Sequence, residues 1–311
     1  MILSRGVSSP SAGPRASAPG PCGFLVVDKP AGLTSHDCVA RVRRAYGLRR
    51  VGHGGTLDPA VTGVLPIAVG PATRLLPYLS GPKAYRGVVQ LGLRTDTDDL
   101  EGVVLAQAPL PALSQAEVEA ALRPFRGRIQ QVPPQVSAVH VNGERAHARA
   151  RRGEVSALEP RPVTIESLEL LGWDQASGRL ELAVRCSAGT YIRSLARDLG
   201  ESLGCGAALA NLRRTAALGF ELHAAVPLEQ LEGPEPPPLL DPLRALGDLP
   251  QHRLDPRELA LWRCGRALAA SAPHAAEQPL AVLGPDGNLA GIARADGAGW
   301  LRPRLVFDAA G

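Results

Sequence analysis

A glycine-rich segment, Gly-His-Gly-Gly-Thr-Leu-Asp-Pro at residues 52–59, is the most informative part of this chain for chemistry. Its three glycines allow the backbone to approach a ligand closely or to adopt positive φ angles. Pro59 disfavours helical geometry at the preceding residue, so Asp58 is held extended on a constrained turn near the imidazole of His53. A carboxylate and an imidazole are groups that serve nucleophilic and acid–base chemistry. The alternative interpretation is that the Asp-Pro pair only forms a turn, as such pairs often do.

A second pair of side chains, Tyr191 and Arg193, lies in the segment Ala-Gly-Thr-Tyr-Ile-Arg at residues 188–193, where a helix is predicted over 190–203. An arginine can pair with a buried carboxylate and keep it ionised. A tyrosine can stack on a nucleobase, and Tyr85, close to Lys83, is another candidate for that role. The alternative is a capped helix that carries a single aromatic residue of the core.

The elements that must position these residues alternate between strands and helices, which predicts an α+β main domain. A buried strand is expected over 23–28, and Thr34 or Ser35 begins a helix that Gly47 ends. Further helices are expected at about 114–125 and 145–152. Further strands are expected at residues 64–70, 83–92, 162–171 and 179–187.

Changes in composition divide the chain into three parts. Residues 1–22 are rich in Ser, Pro, Ala and Gly, which favours a disordered tail over a transit peptide, the alternative for an acid-free start. Residues 23–248 form the expected main domain, with a proline-rich spacer at 234–238 near its end. Residues 249–311 contain short segments of strand character separated by Asp-Gly turns, which predicts a small β-barrel-like domain.

The overall composition excludes several classes of protein. With 45% hydrophobic and 21% charged residues, the 311-residue chain is expected to fold into about two packed domains. It has no run of 18 apolar uncharged residues for a membrane helix, and no nucleotide-binding or zinc-binding motif. Its five scattered cysteines fit a reducing cytosol, so a cytoplasmic location is expected. Arginines at 41, 43, 44, 49 and 50 form either a solvated helix face or a phosphate-binding patch.

Several short motifs follow one another in a fixed order along residues 28–193. They are Asp-Lys-Pro-Ala-Gly-Leu-Thr-Ser at 28–35, Val-Gly-His-Gly-Gly-Thr-Leu-Asp-Pro at 51–59, Thr-Gly-Val-Leu-Pro at 62–66, Lys-Ala-Tyr-Arg at 83–86, Arg-Thr-Asp-Thr-Asp-Asp at 94–99, Pro-Pro-Gln-Val-Ser-Ala at 133–138 and Gly-Thr-Tyr-Ile-Arg at 189–193. Together they resemble the TruB family of bacterial tRNA pseudouridine-55 synthases. The resemblance extends over about residues 23–307.

This resemblance implies a fold and an activity. The fold is a mixed-sheet pseudouridine synthase catalytic domain followed by a small PUA-like RNA-binding domain. The activity is isomerisation of uridine 55 in the T loop of tRNA, with no cofactor and no metal. The expected partner is the T arm of tRNA, bound by a monomer without a guide RNA and without a membrane. Because a stacked base cannot be attacked in place, the target uridine must be flipped into a pocket.

The resemblance also assigns roles to individual residues. Its implied catalytic residues are Asp58 as the nucleophile, Tyr191 and Arg193. Its implied substrate-binding residues are His53, Tyr85, Leu212, Asp99 and Lys29. One departure is His147, which stands where the family usually has a tyrosine; both rings are flat and able to stack.

Two alternatives to this function remain at the level of sequence. The first is a tRNA-binding or tRNA-folding protein in which catalysis is lost or secondary. The second is a guide-RNA-dependent pseudouridine synthase of the archaeal and eukaryotic type. Turnover of an unmodified tRNA transcript without any guide RNA would separate all three.

Overall fold

The computed structural model describes residues 20–307 apart from 138, 142 and 248, and it also leaves undescribed the side chains of Val141 and His147. The greater part of the expected N-terminal tail and the proposed stacking of His147 therefore lie outside the described residues. The α-helices are α1 (Ser35–Tyr46), α2 (Gln115–Leu122), α3 (Ala146–Ala150), α4 (Ile192–Ser202), α5 (Pro242–Ala245) and α6 (Pro256–Arg263). Short 3₁₀ helices cover Gly70–Tyr78, Arg123–Phe125, Leu222–Ala224 and Leu228–Glu232.

The strands form one large sheet and three smaller ones within the described residues. The strands up to α4 are β1 (Gly23–Lys29), β2 (Val51–His53), β3 (Thr62–Val69), β4 (Lys83–Leu91), β5 (Leu93–Thr95), β6 (Val104–Gln107), β7 (Gly127–Gln131), β8 (His140–Val141), β9 (Glu144–Arg145), β10 (Arg161–Asp174) and β11 (Arg179–Cys186). Those after α4 are β12 (Ala207–Ala217), β13 (Phe220–Glu221), β14 (Val226–Pro227), β15 (Gln251–Arg253), β16 (Leu268–Ala269), β17 (Pro279–Leu283), β18 (Leu289–Ala295) and β19 (Trp300–Val306).

The large sheet has the order β14-β1-β3-β12-β4-β11-β10-β7, with β2 added to β3 and β13 to β12. Most neighbouring strands are antiparallel, but β12 runs parallel to β3 and β14 parallel to β1. Mixed strand directions with helices confirm the α+β class expected from the sequence. The topology brings β3, which follows the Asp58 loop, beside β12, which follows α4.

Helix α1 forms where its capping residues require it. The Thr34 side chain accepts a hydrogen bond from the Asp37 backbone, and the Asp37 carboxylate accepts one from the Thr34 backbone, which makes a capping box. Gly47 ends the helix in the left-handed conformation, with φ of 63°. Cys38, Val39 and Val42 then lie on one buried face against the sheet.

A close contact between β3 and β12 requires glycine at position 63. Gly63 has a φ of +102°, and a Cβ atom there would lie 2.1 Å from the carbonyl oxygen of Arg214. No larger side chain fits such an approach. Gly63 therefore allows β12 to run directly beside the strand that follows the Asp58 loop.

The second half of the large sheet is covered by α2 and α4. Their apolar faces pack on β4, β10, β11 and β12 in one buried cluster that includes Val118, Leu168, Leu182, Leu195 and Leu199. Helix α4 is two residues shorter at its start than the predicted 190–203, because Tyr191 is its extended N-cap. The predicted basic helix over 145–152 is reduced to α3, preceded by the β8–β9 hairpin.

The C-terminal strands form a separate five-stranded sheet in the order β15-β17-β18-β19-β16, consistent with the PUA-like domain expected from the sequence. This sheet also contributes to a hydrophobic cluster shared with the large sheet. Ile292 on β18 and Leu305 on β19 pack in the same cluster as Phe24 on β1 and Leu75. The chain therefore passes from the large sheet to the five-stranded sheet near the expected boundary at residue 249, and the two sheets share one hydrophobic cluster.

Candidate active site

Asp58 lies in the loop between β2 and β3 and projects into the cleft beside α4. The Val61 amide donates to the Asp58 carbonyl at 3.0 Å, which closes a tight turn. The Asp58 side chain is 46% exposed, so the carboxylate is open to a ligand. The turn that the Asp-Pro pair predicts is thus part of the observed loop.

Buried side chains hold the backbone of this loop. The Ser35 hydroxyl accepts from the Leu57 amide at 2.9 Å and donates to the Leu57 carbonyl at 3.2 Å. The Lys29 ammonium, which is 0% exposed, donates to the carbonyls of Pro30, Leu33 and Pro59 at 2.8, 2.6 and 3.0 Å. Burial lowers the pKa of Lys29.

The position of Lys29 bears on its predicted role in substrate binding. All three ammonium hydrogens are directed to backbone carbonyls, and the side chain lies beneath the loop rather than in the cleft. Lys29 therefore fixes the backbone at Pro59, next to Asp58.

Arg193 connects two carboxylates at the floor of the cleft. One terminal nitrogen of its guanidinium lies 2.9 Å from Oδ2 of Asp58, and Nε lies 3.6 Å from Oδ2 of Asp99. The guanidinium also donates to the carbonyls of Thr97 and Val136, each at 2.9 Å. Because the Arg193 side chain is only 7% exposed, these contacts fix its planar group in one orientation.

Tyr191 is positioned by the amide group of Gln131. The Gln131 side chain accepts from the Tyr191 amide at 2.8 Å and donates to the Tyr191 carbonyl at 3.1 Å. Gln131 is 2% exposed, at the end of β7. This paired contact fixes the start of α4, and with it the direction of the neighbouring Arg193.

A cavity of about 260 Å³ brings several of these side chains together. It is lined by Thr56, Leu57, Asp58, Val61, Lys83, Ser137, Gly189, Thr190, Tyr191, Ile192, Arg193, Leu209 and Leu212. Its volume lies just below the range of about 300–1,000 Å³ for drug-sized ligand sites, which suits a single heterocyclic ring. A second cavity of about 420 Å³ shares Asp58, Arg193 and Leu212 and adds Asp99.

Tyr85 and His53 lie close to the loop but are not among the residues that line the two cavities. Tyr85 is 7% exposed, and burial raises the pKa of its hydroxyl to about 12, with partial opposition from the Arg214 guanidinium. His53 packs edge-on against His36 with ring centroids 5.4 Å apart. Burial, followed by the charges of His36 and Arg214, lowers the pKa of His53.

Of the site residues predicted from the sequence, the structure brings Asp58, Tyr191, Arg193 and Leu212 to one cavity, with Asp99 in the adjoining one. Three residues that support the site were not predicted: Ser35, Gln131 and Arg214. Ser35 stood out only as a possible helix start and as the end of the 28–35 motif, and nothing local marks Gln131, because the contacts of both side chains are made with distant segments. Arg214 had one signal, its position two residues after the predicted pocket residue Leu212.

Within residues 20–307, leaving aside the three undescribed positions, no group of three His, Cys, Asp or Glu side chains is arranged to hold a metal ion. None of the described helices is both long enough and apolar enough to cross a membrane.

Solved structures show that the fold is shared with other proteins. The chain superposes on a structure of an H/ACA RNP bound to a substrate RNA with a TM-score of 0.69 and 23% identity, covering 92% of this chain and 84% of the other. It superposes on a chain of a Cbf5-Nop10-Gar1 complex with a TM-score of 0.66 and 25% identity, covering 89% and 79%. The model of the N-terminal domain of TruB family pseudouridylate synthases matches residues 43–192. Fold and sequence together define the class of the protein as a pseudouridine synthase, an isomerase.

The particular family follows from the remaining comparisons. Models of TruB C-terminal domains match residues 193–234 and 250–307. The tRNA pseudouridine synthase B of Synechococcus sp. (strain WH7803) is 61% identical, over 94% of this chain and 99% of its own length. That of Parasynechococcus marenigrum (strain WH8102) is 63% identical over the same shares. The chain belongs to the TruB family, which confirms the resemblance found in its motifs.

Proposed function

We propose that this enzyme converts uridine 55 in the T loop of tRNA to pseudouridine, with Asp58 as the nucleophile. One observation carries the proposal: an accessible carboxylate, paired with a buried arginine at 2.9 Å, faces a cavity that suits one ring. The name shared by the close relatives, tRNA pseudouridine synthase B, supports tRNA as the substrate.

The reaction rearranges atoms within one nucleotide. The bond between C1′ of the ribose and N1 of uracil breaks, and the freed base turns within the cavity. A bond then forms between C1′ and C5, the hydrogen at C5 leaves as a proton, and N1 gains a proton, so the product is an isomer of the substrate. Asp58 forms a transient covalent bond to the nucleotide, either at C1′ or at C6 of the ring, which divides one difficult step into two.

The other residues of the cavity support this attack. Arg193 pairs with the Asp58 carboxylate and orients it in the cleft, and Asp99 holds the other side of the same guanidinium. Leu212 and the ring of Tyr85 are proposed to contact the flipped uracil from the apolar side. The Tyr191 hydroxyl is proposed to take part in proton transfer at the base.

His53 and Lys29 are proposed to act on substrate binding in different ways. His53 stands at the half-buried end of β2, where its ring is proposed to hold the T loop in the flipped arrangement. Lys29 acts through the carbonyl of Pro59 and thereby shapes the loop that meets the RNA.

The partner is proposed to be the T arm of tRNA, bound by a monomer in the cytoplasm without a guide RNA. Residues 249–311 are proposed to be a second RNA-binding domain. The test is to incubate the purified protein with an unmodified tRNA transcript and no other RNA. We expect one pseudouridine per tRNA, absent when position 55 is changed to cytidine. Lack of product, or product that appears only after a guide RNA is added, would contradict the proposal.

A further inference from the structure

Arg214 on β12 is the most buried cation near the site that the catalytic proposal does not use. It is 0% exposed, and among the described residues no carboxylate lies within 4.0 Å of its guanidinium. A buried charge without a counter-ion is costly unless every donor is satisfied. The contacts that satisfy Arg214 therefore indicate what it does.

Those contacts lead to the loop that carries Asp58. Nε of Arg214 donates to the carbonyl of Val64 at 2.7 Å, on the strand that follows the loop. The two terminal nitrogens donate to the carbonyls of Gly55 at 3.0 Å and Thr56 at 3.4 Å, within the loop itself. One planar group thus joins the loop to the strand that anchors it.

The same guanidinium also faces Tyr85. Arg214 is paired with Tyr85 in the antiparallel register of β12 and β4, and with Gly63 in the parallel register of β12 and β3. Residues paired in register project to the same face of the sheet, and the Tyr85 and Arg214 side chains interact there. Arg214 therefore contacts both the loop carbonyls and Tyr85.

We propose that Arg214 is a positioning residue that sets the distance between the Asp58 loop and the cavity for the base. The proposal rests on the function proposed above for Asp58. Arginine suits this role because its five donors diverge in a rigid plane, whereas a lysine offers one nitrogen. A lysine at position 214 could satisfy the strand carbonyl or the loop carbonyls, but it could not span both.

Arg213 provides a matched control in the next position of the same strand. Its guanidinium makes a paired contact with the Asp28 carboxylate at 2.7 and 3.0 Å, and its side chain is 39% exposed. Successive residues of a strand point to opposite faces, so Arg213 donates to the Thr62 hydroxyl at 3.3 Å, at the start of β3, and not to the loop carbonyls that Arg214 contacts. Arg213→Lys changes the same chemical group without disturbing the contacts of Arg214.

The experiment compares Arg214→Lys and Arg213→Lys in single-turnover reactions with enzyme in excess at saturating concentration. A misplacement of about 1 Å can lower a rate by about 100-fold. We expect Arg214→Lys to lower the rate constant by about 100-fold or more, with the Kd for tRNA changed by less than about threefold. We expect Arg213→Lys to remain within about threefold of wild type in both quantities.

A purely structural role for Arg214 would give a different result. At saturating excess, the rate constant does not depend on how much of the enzyme is folded, so loss of stability alone would leave it unchanged. Such a result would overturn the proposal. Arg214→Gln removes the buried charge and keeps a donor for one carbonyl, so it provides a second variant if the lysine variant does not fold. It too is expected to lose about 100-fold in rate, and a near-normal rate would refute the proposal.

Hydrogen exchange supplies a readout independent of catalysis. We expect the amides of residues 54–61 to exchange faster in Arg214→Lys than in Arg213→Lys or wild type, because the loop carbonyls lose a fixed donor. Equal exchange in all three proteins would contradict the positioning role. If wild-type enzyme makes no pseudouridine in tRNA, the proposed function fails; if wild type is active and Arg214→Lys equally so, only this inference fails.

Discussion

Replacement of Asp58 by asparagine is the most direct perturbation of the proposed reaction. The amide keeps the size of the side chain but removes the nucleophilic oxygen and its charge. Removal of a nucleophile can lower a rate by on the order of 10⁶, which corresponds to about 8 kcal/mol of activation free energy. We expect a loss of this order in the rate constant for pseudouridine formation.

The effect of this change on stability should be small by comparison. The ion pair lost in Asp58→Asn joins a 7% exposed arginine to a carboxylate that is 46% exposed, so solvent already screens it in part. Arg193 also keeps its contacts with Asp99 and the carbonyls of Thr97 and Val136. The variant should therefore fold and bind tRNA much as wild type does.

The assay follows from the chemistry of the step. A tRNA transcript labelled with tritium at C5 of uridine releases the label when the C1′–C5 bond forms, so released tritium measures single turnovers. Binding is measured separately by retention of the labelled tRNA. Asp99→Asn serves as the control, because it changes the other carboxylate on Arg193 and leaves the nucleophile in place.

Two results would refute the reasoning. If Asp58→Asn retains a tenth of the wild-type rate, Asp58 is not the nucleophile. If Asp99→Asn loses as much activity as Asp58→Asn, the essential feature is the charge balance around Arg193 and not attack by one carboxylate.

Three further predictions concern other parts of the molecule. Tyr191→Phe should lower the rate by about 10²–10⁴ with unchanged tRNA affinity, and near-normal turnover would reduce Tyr191 to a packing role. Arg304→Gln on the C-terminal sheet should reduce the slope of log K for tRNA binding against log salt concentration by about 0.7–0.9. Arg294→Gln should change this slope less, because Arg294 is paired with Glu277 at 2.6 Å. Equal slopes for wild type and Arg304→Gln would exclude a phosphate contact at Arg304. Folding lowers the pKa of His53 below its ordinary value of 6.5. The contribution of His53 to the free energy of unfolding is therefore complete above pH 6.5, and it is lost as the pH falls from 6.5 through the folded-state pKa. The difference in Tm between wild type and His53→Gln should shrink as the pH is lowered through that interval. A difference in Tm that does not depend on pH would contradict this prediction.

Local features of this protein were accessible from its sequence because they depend on neighbours along the chain. The start of α1 follows from the reciprocal capping of Thr34 and Asp37, and its end from the left-handed conformation of Gly47. The turn at Asp58 and Pro59, closed by the Val61 amide on the Asp58 carbonyl, is typical of an Asp-Pro pair. Each of these interactions acts over a few residues, so the residue types alone determine it.

The motifs carried information of a second kind. Their order and residue types were sufficient to predict the TruB family and the pseudouridine synthase fold, both of which the comparisons confirm. They also named Asp58, Tyr191, Arg193 and Leu212, which line one cavity in the structure. The catalytic roles of these residues stay predictions until the variants are measured.

Only the tertiary structure decided which side chains are buried and what they contact. The sequence predicts that Lys29 binds the substrate, but in the fold its side chain is buried and donates to the Pro59 carbonyl. Arg213 and Arg214 are adjacent residues of the same type. Arg213 pairs with Asp28 at the surface, whereas Arg214 lies in the core and contacts the Asp58 loop. The physical reason is that burial and long-range pairing depend on which strands become neighbours, here β3 beside β12, and that arrangement is a property of the whole packed chain rather than of any short segment.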